Sequence, residues 1–87
     1  MSTKVIYYAI VEGGATRENP AGIVRRHTKT DGSFQDEALH RDLTWRFSPT
    51  IVEWERAESS GDLVEVSEDE AERIIQRFQA MYGGTTS

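Results

Sequence analysis

The sequence predicts a small α+β domain, with a mostly antiparallel sheet of about four strands packed against a C-terminal amphipathic helix. Two observations support this fold class. Short segments rich in β-branched and aromatic residues alternate with clusters of Gly, Pro, Asn and Asp through most of the chain. Near its end, a helix start signal precedes an apolar stripe with helical spacing. We expect one domain over residues 1–82 and a frayed tail over residues 83–87.

The first strand is predicted over Lys4–Val11, KVIYYAIV, where both alternating sets of side chains are apolar or aromatic. A strand with two apolar faces is expected in the centre of a sheet, or covered on its second side. Residues 12–21, EGGATRENPA, are predicted to form a loop because Gly, Asn and Pro concentrate there. This loop is long for a hairpin connection, so a mobile segment and a segment that carries a contact stay open as alternatives.

The second strand is predicted over residues 22–29, GIVRRHTK, where Arg25 and Arg26 alternate with apolar and polar neighbours. This pattern predicts an outer strand, because long basic side chains hinder edge-to-edge pairing. A turn then leads to a short predicted helix over residues 34–41, with Ser33 as its N-cap.

A third strand is predicted where Leu43, Trp45 and Phe47 alternate with polar residues, which indicates one buried aromatic face. Residues 50–57, TIVEWERA, are ambiguous. Pro49 at a first helical position favours a short helix, whereas the β-branched start and apolar alternation favour a strand. We prefer the helix.

The last strand, over residues 63–66, leads into the predicted C-terminal helix. Ser67 and Glu70 have the spacing of a capping box, in which each side chain bonds a free backbone N–H of the other residue. The apolar stripe that follows has the i, i+3, i+4, i+7 spacing of one helix face and consists of Ala71, Ile74, Ile75, Phe78 and Met81.

Charge is distributed unevenly along the chain. Residues 1–29 carry five basic and two acidic side chains, whereas residues 30–87 carry five basic and thirteen acidic ones, so that net charges of +3 and −8 give −5 overall. An acidic chain argues against a dedicated nucleic-acid binder. Unlike charges allow contact with a protein partner or with a second copy, although acids that simply keep a small domain soluble are the plainer interpretation.

Composition excludes several classes of protein. The absence of cysteine excludes disulfides, thiolate metal sites and a cysteine nucleophile, and it is compatible with the cytoplasm, where we expect the protein. The sequence has no apolar run near the roughly 20 residues of a membrane span. His27 and His40 lack metal-ligand spacing and fall on different predicted elements, so we predict no metal, no cofactor and no catalytic residue.

The candidate binding residues are Arg17, Arg25, Arg26 and Trp54. The arginines, with Lys29 nearby, could contact phosphate, although an outward-facing edge strand is the plainer explanation of Arg25 and Arg26. Trp54 lies between two glutamates and is expected to be the most exposed of the tryptophans and tyrosines considered as binding residues.

Three segments, YYAI, DEALHRDLTW and EVSEDEAERII, resemble a group of short actinobacterial and actinobacteriophage proteins of unknown function. The resemblance covers most of the chain and implies a bacterial or phage accessory protein in the cytoplasm. It implies no functional residues.

The sequence therefore predicts a small non-enzymatic interaction module that binds a protein partner or itself. The first alternative is a nucleic-acid-associated regulatory protein that uses Arg25 and Arg26. A small enzyme is a more distant alternative, which would need a concave pocket with a histidine and a carboxylate.

Overall fold

The computed structural model describes residues 4–57 and 62–83. Within these ranges the chain forms five strands and two α-helices, and the second helix continues into a π-helical turn. In chain order the elements are β1 (Lys4–Val11), β2 (Gly22–Thr28), β3 (Phe34–Leu39), β4 (Trp45–Phe47), α1 (Thr50–Glu55), β5 (Asp62–Val66), α2 (Glu68–Phe78) and the π-helical turn (Gln79–Gly83). The predicted α+β class with a C-terminal helix is confirmed.

The strands form one antiparallel sheet in the order β4-β3-β2-β1-β5. Strands β1 to β4 follow one another as a meander, and β5 returns to pair with the free side of β1. The predicted central position of β1 is confirmed. Because both faces of β1 are apolar, the sheet needs a cover on each side, and α2 and α1 lie on opposite faces.

Two rows of side chains cross the whole sheet because the strand registers line up. The first, here called the Tyr8 row, faces α1 and consists of Arg46, Ala38, Val24, Tyr8 and Glu65. The second, called the Tyr7 row, faces the α2 side and consists of Phe47, Glu37, Arg25, Tyr7 and Val66. Each row therefore begins at edge strand β4 and ends at edge strand β5.

The sheet has an apolar core on each face. The core under α2 contains the buried residues Ala9, Ile23, Val66, Ala71, Ile74 and Phe78. The smaller core under α1 contains Val24, Ile51 and Leu63, with Tyr8, Ile10 and Trp54 partly buried against it. Ile51 is fully buried, so the short α1 helix is an integral part of the fold.

Two predictions for the middle of the chain are wrong. Strand β2 is not an outer strand, because β3 pairs with it on the side away from β1. Residues 34–41 do not form a helix: β3 occupies Phe34–Leu39 and raises the strand number from about four to five. Its sequence FQDEAL consists mostly of good helix formers, but pairing with β2 and β4 outweighs that local preference.

The aromatic face predicted for β4 is only partly buried. Trp45 packs against the α2-side core, whereas Phe47 is 74% exposed. Helix α2 packs on β1 and β2, and β4 lies two strands away from β2. Met81, predicted as part of the helix stripe, is also exposed, because the widening to a π-helical turn changes the direction of its side chain.

Both helices begin close to their predicted starts. Residues Thr50–Glu55 are helical as preferred, although Pro49 is the N-cap residue rather than the first helical residue. The capping box of α2 is present, with Ser67 Oγ accepting from the Glu70 N–H at 3.1 Å and Glu70 Oε1 accepting from the Ser67 N–H at 3.2 Å. Residues 84–87 of the predicted tail lie outside the described residues. Neither helix of the described chain is long and apolar enough to span a membrane.

Candidate interaction surface

Arg25 and Arg26 are neighbours on β2, so their side chains point to opposite faces of the sheet. Each lies directly opposite an acidic residue of β3, Arg25 opposite Glu37 and Arg26 opposite Asp36. Cross-strand pairs of opposite charge stabilise a sheet. The two arginines of β2 are therefore explained by their pairing with the two acidic residues of β3.

Arg26 is enclosed by carboxylates on the α1 face. Its Nε and Nη2 donate to the two oxygens of Asp36 at 2.7 and 3.0 Å, and Nη1 donates to Glu55 of α1 at 3.1 Å. Asp36 is only 4% exposed. The hydrogen bonds to Asp36, against the opposing effect of burial, raise the pKa of Arg26 above its usual range. The guanidinium also lies 3.9 Å from the ring centre of Phe34.

Arg25 forms a second cluster on the opposite face. Its Nε donates to Glu37 Oε1 at 2.9 Å, and Nε2 of His27 lies 3.1 Å from the same oxygen. The Arg25 guanidinium stacks 3.8 Å from the ring centre of Trp45, which packs in turn against Tyr7 at 6.4 Å. Burial opposes ionisation of Glu37, but hydrogen bonds and charge from Arg25 and His27 hold its pKa below the ordinary value.

Arg17 anchors the loop of residues 12–21 to helix α2. Its Nε and Nη2 donate to the two carboxylate oxygens of Glu70 at 3.0 and 2.8 Å. The Arg77 guanidinium donates to the Glu18 carbonyl from the other end of the helix. The hydrogen bond from Arg17, followed by that from the Ser67 N–H, lowers the pKa of Glu70 to about 2. The loop thus contacts helix α2 near both ends of the helix, while its mobility and any contact with a partner stay predictions.

Trp54 is half-buried, as are Tyr7, Tyr8 and Trp45. Its Nε1 donates to Oδ1 of Asp62 at 3.1 Å, and its ring centre lies 6.0 Å from that of Tyr8. These contacts tie α1 to β5 and β1. The four candidate binding residues thus do not form one site, because Arg17 contacts α2 while Arg25 and Arg26 lie on opposite faces of the sheet. Each of the four has an internal partner. A binding role for any of them stays a prediction.

Phe47 has the highest exposure among the large apolar side chains of the described residues, and the sequence pattern did not single it out as a candidate. Its alternation with Trp45 predicted burial, but the adjacent Ser48-Pro49 ends the strand at this point. A side chain at the last position of an edge strand has no neighbouring strand on one side. The position of Phe47 directly before Ser48-Pro49 was therefore the signal in the sequence that its side chain is exposed.

Phe47 lies on a part of the sheet that helix α2 leaves uncovered, here called the open face. The open face carries the Arg25 cluster at its centre and apolar groups at its margins, with Val5 36% exposed at the margin opposite Phe47. Its residues are Val5, Tyr7, Arg25, His27, Glu37, Trp45 and Phe47.

The described clefts are small. One of about 100 Å³ lies between the 12–21 loop and α2, lined by Arg17, Glu18, Glu70, Arg73, Ile74 and Arg77. A second of similar size lies between the π-helical turn and the β3–β4 turn, lined by residues that include His40, Arg41 and Tyr82. Ligand pockets typically measure about 300–1,000 Å³. In residues 4–57 and 62–83, no group of three or more His, Asp or Glu side chains could hold a metal ion. The open face is therefore the stronger candidate for function.

No protein-family model, curated protein or solved structure matches the chain.

Proposed function

We propose that this protein is a non-enzymatic interaction module that binds a protein partner through the open face. The observation that carries the proposal is Phe47, a large apolar side chain that is 74% exposed at the edge of the sheet. Contiguous exposed apolar patches rimmed by polar residues mark protein interaction sites, and aromatic residues are enriched in such sites. A partner would cover Phe47 with an apolar group of its own.

The side chains around Phe47 are already held in place by contacts within the protein, which favours binding. Trp45, on the same strand, is held between the Arg25 guanidinium and the Tyr7 ring. The neighbouring Glu37 is fixed by Arg25 and His27. A surface whose side chains are already ordered loses little conformational entropy on binding, so more of the contact energy appears as affinity.

The same contacts weigh against the two alternatives. General acid–base chemistry needs a titratable group that can reach a substrate, whereas Glu37 is engaged by two cationic or polar neighbours. A phosphate would meet Arg25 and Arg26 already neutralised by Glu37, Asp36 and Glu55. We therefore expect that neither single-stranded nor duplex oligonucleotides bind when they are titrated into the protein at low salt, where binding to phosphate would be strongest.

Site-specific photocrosslinking tests the proposal. A benzophenone amino acid is placed at position 47, in cells that carry the gene natively, and the crosslinked products are identified by mass spectrometry. The matched control is position 34, because Phe34 is also an exposed phenylalanine but faces the α1 side of the sheet. We expect discrete protein adducts from position 47 and few from position 34.

A second variant separates binding from folding. Phe47→Ser removes the apolar group from an exposed site, so the free energy of unfolding should change little, by about 0.5 kcal/mol or less. The partner found by crosslinking should bind this variant at least about tenfold more weakly, as expected for loss of an aromatic side chain that the partner buries. Equal adducts from both positions, or unchanged affinity of Phe47→Ser, would contradict the proposal.

A cytoplasmic setting is part of this proposal. It is supported by the resemblance of YYAI, DEALHRDLTW and EVSEDEAERII to short actinobacterial and phage proteins. Fractionation of the native cells, followed by detection of the chain, tests that setting.

A further inference from the structure

Edge strand β4 presents backbone groups that point away from the sheet. The N–H of Ser48, just after the strand, donates to the Asp36 carbonyl of β3 at 3.2 Å. Because N–H and C=O groups alternate in direction along a strand, those of Trp45 and Phe47 point outward. Within the described residues these groups have no backbone partner outside β4, so they form a short open edge.

The opposite edge, β5, carries a matching set. The Leu63 N–H donates to Oδ1 of Asp62 at 3.0 Å, and the Ser67 N–H donates to Glu70 at 3.2 Å. Between these two engaged donors, the outward groups are the C=O of Leu63 and the N–H and C=O of Glu65.

The two edges fit each other in a parallel ladder. Strands β4 and β5 run in the same direction, since four antiparallel steps separate them. In a parallel ladder, one residue bonds to the two residues that flank its opposite number. With Glu65 opposite Arg46 of a second copy, the Glu65 N–H meets the Trp45 C=O, and the Glu65 C=O meets the Phe47 N–H. The Leu63 C=O is then left for the Trp45 N–H.

Side chains agree with this register. Arg46 and Glu65 end the Tyr8 row, and Phe47 and Val66 end the Tyr7 row. The Arg46 guanidinium also donates to Asp42 and Thr44 of its own chain. Because that ion pair is exposed, a neighbouring Glu65 would add a second carboxylate to it. A second copy that continues both rows therefore places unlike charges side by side on one face. On the other face it places Phe47 beside Val66, which would cover part of its exposed ring.

Pairing of like edges is disfavoured. Two β4 edges bonded through Trp45 and Phe47 would set Arg46 directly opposite Arg46. Two β5 edges would need the Leu63 N–H, which Asp62 engages, or would set Glu65 opposite Glu65. The unlike pair joins opposite charges and also uses the outward groups of Trp45, Phe47, Leu63 and Glu65.

We propose that copies of this chain associate edge to edge, with β4 of one copy beside β5 of the next, in an open-ended parallel arrangement. The proposal rests on the proposed function, because it makes a second copy the partner that covers Phe47. A contact between different patches generates rings or open chains rather than a closed two-fold dimer. The ladder is short, so the association is weak and depends on concentration.

Charge exchange between the two edges provides the main test. Sedimentation velocity is measured from micromolar to millimolar protein at low and moderate salt, for wild type, Arg46→Glu, Glu65→Arg and the double variant. Wild type should grow in size with concentration. Each single variant should shift the association midpoint about tenfold higher, which corresponds to about 1.4 kcal/mol, and the double variant should restore it.

Cysteine variants test the register, since the chain contains no cysteine of its own. Arg46→Cys mixed with Glu65→Cys should yield disulfide-linked dimers at high concentration, while neither variant should crosslink alone. Crosslinking of Arg46→Cys alone, or of Val64→Cys alone, would indicate pairing of like edges and overturn the proposal. Circular dichroism of each variant checks that it is folded.

The outcomes for the two proposals are separable. A wild-type chain that stays monomeric at millimolar concentration, or single charge variants that associate like wild type, overturns edge-to-edge pairing. If position 47 nevertheless crosslinks a different protein, the interaction function stands without self-association. If it crosslinks nothing, both proposals fail.

Discussion

At the scale of single residues, the adjacent arginines of β2 explain much of the middle of the chain. Arg25 and Arg26 each have a cross-strand carboxylate and an aromatic ring, on opposite faces of the sheet. The sequence showed the basic cluster but not its acidic partners, because a prediction of helix for residues 34–41 removed Asp36 and Glu37 from the sheet. Correct pairing of β2 with β3 would have accounted for both arginines.

The two ion pairs should differ in their effect on stability. Asp36→Asn leaves the half-buried Arg26 with only the exposed Glu55, so we expect a loss of about 3 kcal/mol in the free energy of unfolding. Glu37→Gln, in the more exposed pair with Arg25, should cost about 1 kcal/mol. Urea denaturation measures both. Equal losses would contradict this assignment, as would failure of an Arg26→Met, Asp36→Leu double variant to recover stability lost by Asp36→Asn.

Ala57 should be improved by glycine. It adopts a left-handed φ of 60° directly after helix α1, a conformation that disfavours side chains with a Cβ. Ala57→Gly is expected to stabilise the protein by about 0.5–1 kcal/mol. Leu43 has a similar φ of 65° but packs against the α2-side core, so Leu43→Gly should be destabilising. Thermal denaturation of the two variants should therefore shift in opposite directions.

At the scale of elements, prediction succeeded where local signals and tertiary contacts agree. Helix α2 combines a capping box with an apolar stripe, and β1 combines β-branched residues with two covered faces. Prediction failed for β3, whose helix-forming residues become a strand because two neighbouring strands pair with it. The open face was not predictable, because the area that α2 covers depends on how the helix crosses the sheet.

The contact between the 12–21 loop and α2 should be lost in acid. The folded-state pKa of Glu70 is lowered from 4.5 to about 2, chiefly by Arg17. A lowered pKa means that the stabilisation is fully present above about pH 4.5 and declines as the pH falls toward 2. Glu70→Gln should therefore show a shallower fall of stability with acid over this range.

Chemical denaturation at a series of pH values measures this effect. Glu72→Gln is a matched control, because Glu72 is exposed on the same helix and has no ion pair among the described residues. It should keep the wild-type dependence on pH. Identical profiles for wild type and Glu70→Gln would show that Arg17 does not hold the loop through this carboxylate.

At the scale of the whole molecule, residues 4–57 and 62–83 form a sheet with a helix on each face, and no strand of these ranges pairs with the outer sides of β4 and β5. The sequence predicted the α+β class and the C-terminal helix. It did not predict that α1 covers the second face of the sheet, which is seen only from the burial of Ile51 in the core on that face. The charge asymmetry of the chain has a simple outcome: the basic residues of β2 lie beside acidic residues of β3 and α1. Opposite charges that are separate along the sequence are thus adjacent in the fold.

The position of β1 also sets an expected order of folding. Strands β1 to β4 need only hairpin closures, whereas β5 must pair Val66 with Tyr7 across most of the chain, and distant contacts form slowly. We expect the meander to gain protection first in pulsed hydrogen exchange, with β5 and α2 following. During that interval the apolar β1 would be an unpaired edge, so refolding at high concentration should aggregate more than refolding at low concentration. Simultaneous protection of β2 and β5 would contradict this order.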